Sequence, residues 1–153
     1  MILSIRDRKK SSINKALRNI KENVNISKAP KQYKSGYNCW GFTAYVFGWT
    51  NDLLWLNPDS IEKYLISYSR KVNVPKIGDI VVWRSRKGKR AFIDHTAIIT
   101  GVHSDSSNQI LHKPGGLALE LMPQEKVNKL YPYGGIIEYR RPYKKGLLDQ
   151  KSA

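Results

Sequence analysis

Three residues of this 153-residue chain have types and an order suited to attack on an amide: Cys39, His95 and His112. Such chemistry needs a thiolate, a base beside it that takes its proton, and a polar group that orients the base. Cys39 is the chain's one cysteine. An intramolecular disulfide and a cysteine-rich metal site are therefore excluded, which leaves a buried apolar thiol, an intermolecular bridge or a reactive nucleophile.

The elements around these residues decide among those readings. In the run Asn38-Cys39-Trp40-Gly41-Phe42-Thr43-Ala44-Tyr45-Val46-Phe47-Gly48, Asn38 suits an N-cap and Gly48 a C-terminal stop, so the pattern predicts a short helix that opens at the cysteine. Cys39, Phe42, Val46 and Trp49 fall on one face of it, the buried one. A thiol there meets the positive end of the helix dipole and unpaired backbone N–H groups, which lower its pKa and can hold an oxyanion. His95 lies near the start of the apolar strand Asp94 to Gly101, where alternation puts His95, Ala97 and Ile99 on one face and the small Ala97 would let a helix approach closely. His112 follows in the next strand and shares a face with Ile110. Either histidine alone also fits a satisfied core or surface residue; two on adjacent strands after a helix-opening cysteine make a less accidental pattern.

An amphipathic helix is predicted from about Ser12 to Asn23, with Ile13, Leu17, Ile20 and Val24 at helical spacing and Ser11 or Ser12 as the cap. A second is predicted at Asp59 to Tyr68, where Pro58 precedes an Asp59-x-x-Glu62 capping box. From Val74 onward the pattern changes to strands: Ile80 to Trp83, Ala91 to Val102, Gln109 to Lys113, Leu117 to Met122 and Gly135 to Arg140. Short connections between them favour antiparallel neighbours. The expected architecture is α+β, helices first and then an antiparallel sheet of about five strands. Asp79 after Gly78 reads as a turn into the first strand, and His103, beside a polar run, as a surface residue.

The formal charge is +15, from 27 Lys and Arg against 12 Asp and Glu. The first 34 residues carry ten cations against two anions. This charge implies attraction to an anionic polymer, whether nucleic acid, acidic lipid or a bacterial envelope. The loop Arg84, Ser85, Arg86, Lys87, Gly88, Lys89, Arg90 reads as a solvated hairpin tip or, beside a cleft, as a guide for such a polymer; phosphate contacts would serve nucleic acid equally. No apolar run reaches the ~20 residues of a membrane span. The amino terminus lacks the apolar stretch of a secretory signal. The expectation is a monomer synthesised in the cytoplasm without a signal peptide, with no cofactor and no metal.

The runs Asn38-Cys39-Trp40-Gly41-Phe42, Pro75-Lys76-Ile77-Gly78-Asp79-Ile80-Val81-Val82-Trp83, His95-Thr96-Ala97-Ile98-Ile99-Thr100-Gly101 and Ile110-Leu111-His112, in this order, resemble the NlpC-type cell-wall cysteine peptidases and the related CHAP amidases. The resemblance spans about Tyr33 to Pro142. It implies a papain-like domain over 33–143, preceded by a basic extension over 1–32 and followed by a tail over 144–153. Cys39 would be the nucleophile, His95 the base that later protonates the leaving amine, and His112 the residue that orients His95. The backbone N–H of Cys39 would contribute to an oxyanion hole, with Tyr33 or Tyr37 as the tyrosine many relatives add there. The implied activity is hydrolysis of an amide or isopeptide bond in bacterial peptidoglycan through a thioester, in a phage lysis-type enzyme or a delivered effector acting at the cell wall. Two alternatives stay open: a basic, non-catalytic polyanion- or nucleic-acid-binding protein on the same fold, and an acyltransferase or deamidase acting on protein or lipid.

Overall fold

The structure is a computed structural model that describes residues 5–20, 36–87, 90–103, 107–114, 118–131 and 135–144. In chain order the elements are α1 (Ile5–Asn19), α2 (Cys39–Val46), α3 (Pro58–Tyr68), β1 (Ser69–Val72), β2 (Ile80–Lys87), β3 (Arg90–Val102), β4 (Asn108–His112), β5 (Glu120–Pro123), α4 (Gln124–Asn128) and β6 (Ile136–Pro142). The strands form a sheet in the order β1-β6-β2-β3-β4-β5, with every neighbouring pair antiparallel. This is the α+β arrangement expected from the pattern, with one strand more. The additional strand is β1, Ser-Arg-Lys-Val, whose four residues are too few and too polar to show alternation. The short helix α4 was likewise not anticipated.

Apolar faces explain the layers. Ile13 and Leu17 of α1, Phe42 and Val46 of α2, and Ile61 and Leu65 of α3 form one core with Ile80, Val82, Ile98 and Leu111 of the sheet. The opposite sheet face carries Val81, Trp83, Ala97, Ile99 and Ile110, packed with Val127 of α4. The three amino-terminal helices thus cover one side of the sheet and α4 the other.

Helix boundaries differ from expectation for local reasons. α1 opens at Ile5, and Ser11 and Ser12 lie inside it on its exposed side, because the long-chain residues before them are good helix formers that need no cap there. α1 ends at Asn19, short of the expected Asn23, with Ile20 already outside the helix; residues 21–23 lie outside the described residues. α3 is capped by Asn57, whose side chain accepts from the Ser60 N–H at 2.8 Å, with Pro58 in the first turn where its missing N–H costs nothing. Glu62, expected in a capping box, instead pairs with Arg84 at 2.6 Å. Leu117, expected to open the fourth strand, lies outside the described residues; β5 opens at Glu120.

One irregularity matters for the site. β2 and β3 pair in step from Ile80↔Ile98 to Trp83↔His95, and the next pair is Arg84↔Ile93. Asp94 is therefore an extra residue, a bulge anchored by Ser85 Oγ donating to Asp94 Oδ1 at 3.0 Å. Ile93 sits in the helix-side core, whereas His95, two positions on, points to the opposite face beside Trp83. In a regular strand those two residues would share a face.

Candidate active site

α2 starts at Cys39 because Asn38 satisfies its first turn. The Asn38 side-chain oxygen accepts from Gly41 N–H at 2.9 Å and from Leu56 N–H at 3.2 Å, and its amide donates to the Leu56 carbonyl at 2.8 Å. The cap thereby ties the helix start to the segment 53–56. That segment passes so close that a Cβ on Gly41 would lie 1.6 Å from the Leu54 carbonyl oxygen, so only glycine fits there. On the other side, the Cys39 carbonyl accepts from the Thr43 hydroxyl at 3.0 Å and the Thr96 hydroxyl at 3.3 Å, and the two hydroxyls lie 2.9 Å apart.

These contacts place α2 on the face of β3 that carries Thr96 and Ile98. Ala97, expected to receive the helix, points to the opposite face. The helix approaches through threonine hydroxyls that satisfy the Cys39 carbonyl rather than through a gap above a small side chain. Backbone N–H groups of Thr96, Trp40 and Cys39 itself bear on the buried thiol and pull its pKa down. Burial outweighs them and pushes the thiol up to about 11.

His95 is buried between aromatic rings: Tyr131 stacks at 4.9 Å, Trp83 lies at 5.4 Å, and His112 meets it edge-on at 5.1 Å. His95 Nε2 and His112 Nδ1 are 2.8 Å apart, within one hydrogen bond. Burial, with the neighbouring His112 second, lowers His95 to about 3; burial lowers His112 to about 4. Both rings are therefore neutral in the resting protein. His112 Nε2 is buried without a hydrogen-bond partner among the described residues, as is Trp40 Nε1.

The remaining candidates separate. Tyr37 is fully buried immediately before the cap residue, its hydroxyl pushed up to about 12 by burial, while Tyr33 lies outside the described residues. Arg84, grouped by sequence with the polymer-contacting cations, is instead consumed within the fold. Its guanidinium donates to Glu138 at 2.7 Å and to Glu62 at 2.6 Å, and its side chain is 11% exposed. Arg86 and Lys87 continue β2, Arg90 opens β3, and Lys89 lies outside the described residues. His103 is exposed at the β3–β4 turn, and Asp79 accepts from Lys76 N–H at 2.7 Å while pairing with Arg141.

Sequence reasoning missed Lys113 and Tyr131. Lys113 closes the expected third strand as a charged residue in an apolar context, which was a signal; Tyr131, between Leu130 and Pro132 and outside every expected element, carried none. Among the described residues no group of three or more His, Cys, Asp or Glu could hold a metal ion, and no helix is long and apolar enough to cross a membrane. A groove of about 780 Å³ lies between α1 and β5, lined among others by Lys9, Ser12, Gln109 and Lys126, and none of its walls is Cys39, His95 or His112.

Residues 28–113, more than half of the chain, match a family model described as CHAP domain. No curated protein and no solved structure matches the chain. The matched span holds Cys39, His95 and His112 and ends before β5, α4 and β6.

Proposed function

The chain belongs to the CHAP domain family, whose members are typically amidases or peptidases of peptidoglycan, and on that premise we propose that it is a cysteine hydrolase cleaving an amide or isopeptide bond of bacterial peptidoglycan. Cys39 is the nucleophile, His95 the general base and then acid, and His112 the orienting residue. The observation that carries this reading is the 2.8 Å bond between His95 Nε2 and His112 Nδ1, with His95 next in β3 to Thr96, whose hydroxyl donates to the carbonyl of Cys39 at the start of α2.

The tautomers follow from the role. For His95 to accept a proton at Nδ1, its Nε2 must carry hydrogen and donate to His112 Nδ1, so His112 holds its own hydrogen at Nε2. The Cys39 S–H bond then breaks as sulfur attacks the substrate carbonyl carbon, and the proton passes to His95 Nδ1. The tetrahedral oxyanion is met by backbone N–H at the α2 start. On collapse the C–N bond breaks, His95 returns the proton to the leaving amine, and a thioester remains. Water, deprotonated by the same nitrogen, hydrolyses it and restores the thiol. Because burial holds the thiol protonated and the ring neutral, proton transfer accompanies attack.

The cations exposed on α1, Lys9, Lys10, Lys15 and Arg18, add local attraction to an anionic wall. The test is clearing of purified peptidoglycan by wild type, Cys39→Ala and His95→Ala, with the products read by mass spectrometry. Wild type clears, Cys39→Ala does not, and His95→Ala falls by about 10²–10⁴-fold, the usual contribution of a general base. Clearing that persists in Cys39→Ala overturns the nucleophile. Salt-sensitive polyanion binding with no clearing on any wall type favours a binding protein on this fold.

A further inference from the structure

The end of β4 places two polar side chains on opposite faces of the sheet. His112 shares the Ile110 face and reaches His95; Lys113, the next residue, is directed to the helix side, where its Nζ lies over the ring of Tyr37, 4.6 Å from the centroid. Tyr37 directly precedes the cap of α2, so this brings a lysine side chain to the helix start from which the thiol projects. Lys113 is 0% exposed. A buried ammonium loses its hydration, and a protein interior holds one only beside groups that repay the loss. An aromatic face supplies part of that compensation. The proposed hydrolase chemistry leaves this lysine unused.

We propose that the Lys113 ammonium is the counter-charge to the negative charge that develops on the Cys39 sulfur as His95 takes its proton. The inference deepens the hydrolase reading at the same site and rests on Cys39 ionising there. When the S–H bond breaks, the electron pair stays on sulfur, the proton goes to His95 Nδ1, and Lys113 neither gains nor loses one. Such a charge is needed because His95, buried among Trp83, Tyr131 and His112, is a neutral ring at rest and offers the thiol no cation. Among the described residues, the charged and titratable groups that bear on the thiol or on Lys113 are Lys113 itself, Tyr131, which stacks on His95 and is acted on by Asp94, and Tyr37, whose ring faces the ammonium. Lys113 is the cation among them. Burial sets the net direction for both, lowering Lys113 and raising Cys39; against it, Cys39 draws the Lys113 pKa up and Lys113 draws the Cys39 pKa down.

A single cysteine makes the test direct. The rate of iodoacetamide alkylation of Cys39 in the folded protein is followed against pH by mass spectrometry for wild type, Lys113→Met and Lys113→Arg, with circular dichroism to verify folding. Lys113→Met is expected to move the profile up by one pH unit or more, a tenfold loss of alkylation rate at a fixed pH below the midpoint, while Lys113→Arg stays close to wild type. Superimposable profiles for wild type and Lys113→Met overturn the proposal. Should Lys113→Met fail to fold, the coupling is read from its other end by NMR titration of the Lys113 side chain in wild type and Cys39→Ser. A lower Lys113 pKa in Cys39→Ser supports the proposal, and an unchanged one overturns it. Neither measurement uses a substrate. Absence of wall clearing beside a shifted alkylation profile would overturn the hydrolase and leave the Lys113 pairing standing.

Discussion

Replacing Asn38 by alanine removes three hydrogen bonds at the start of α2 without touching a reacting group. The cap to Gly41 N–H is worth about 1 kcal/mol by comparison with other N-caps. The two bonds to Leu56 join segments 18 residues apart in a buried setting. Their loss leaves a buried N–H and a buried carbonyl without their partner, at about 1–3 kcal/mol each where water cannot enter. Partial relaxation of the segment 53–56 reduces the sum, so the expected destabilisation is about 2–4 kcal/mol. For a domain of this size that is a fall in melting temperature on the order of 10 °C. Urea unfolding followed by circular dichroism measures it, with Asn38→Asp as the companion. Aspartate keeps both accepted bonds but sets a carboxylate oxygen against the Leu56 carbonyl, so it should recover only part of the loss. A change below about 1 kcal/mol for Asn38→Ala would refute the argument that this side chain joins α2 to the 53–56 segment.

Three further outcomes follow from the same structure. Gly41→Ala would set a Cβ 1.6 Å from the Leu54 carbonyl oxygen, which must move away; a loss of about 1–3 kcal/mol, as for other overpacked sites, is expected in urea unfolding, and wild-type stability would mean that the segment yields freely. Burial depresses His95 to about 3 and His112 to about 4 from the ordinary 6.5. Between these values the unfolded chain binds protons that the native state does not, so stability is full above pH 6.5 and falls toward pH 4, by about 1.4 kcal/mol per unit for each ring. A urea midpoint unchanged between pH 7 and pH 5 would contradict this. Arg84→Met removes one of the two guanidinium partners of buried Glu138 and leaves Arg140. Its expected cost is about 2–3 kcal/mol, below that of a fully uncompensated buried charge, with salt-dependent retention on an anionic resin unchanged; weakened retention at full stability would return Arg84 to the polymer-contacting surface.

The parts legible in the sequence are those set by local physics. Asn38 and the apolar spacing behind it announce a helix that opens at Cys39, because a cap acts within one turn. Alternation marks β2, β3 and β4, because side chains in a strand repeat every two residues. Short connections make β2, β3 and β4 antiparallel neighbours. Order and alternation were also enough to set His95 and His112 on adjacent strands.

The rest depends on contacts between residues far apart in the chain. Alternation divides β3 into two faces without saying which one receives α2; the Thr43–Thr96 contact, across 53 positions, decides for the Thr96 face. The Asp94 bulge, invisible to a strict period of two, turns His95 away from the side of Ile93. Arg84 reads as a solvated loop cation until Glu62 and Glu138 arrive from other elements. Lys113 reads as the polar end of a strand until Tyr37 covers it. A sequence determines propensity and period, which act within a few residues; the burial, pairing and ionisation of a charged side chain are decided by whichever groups the fold brings against it.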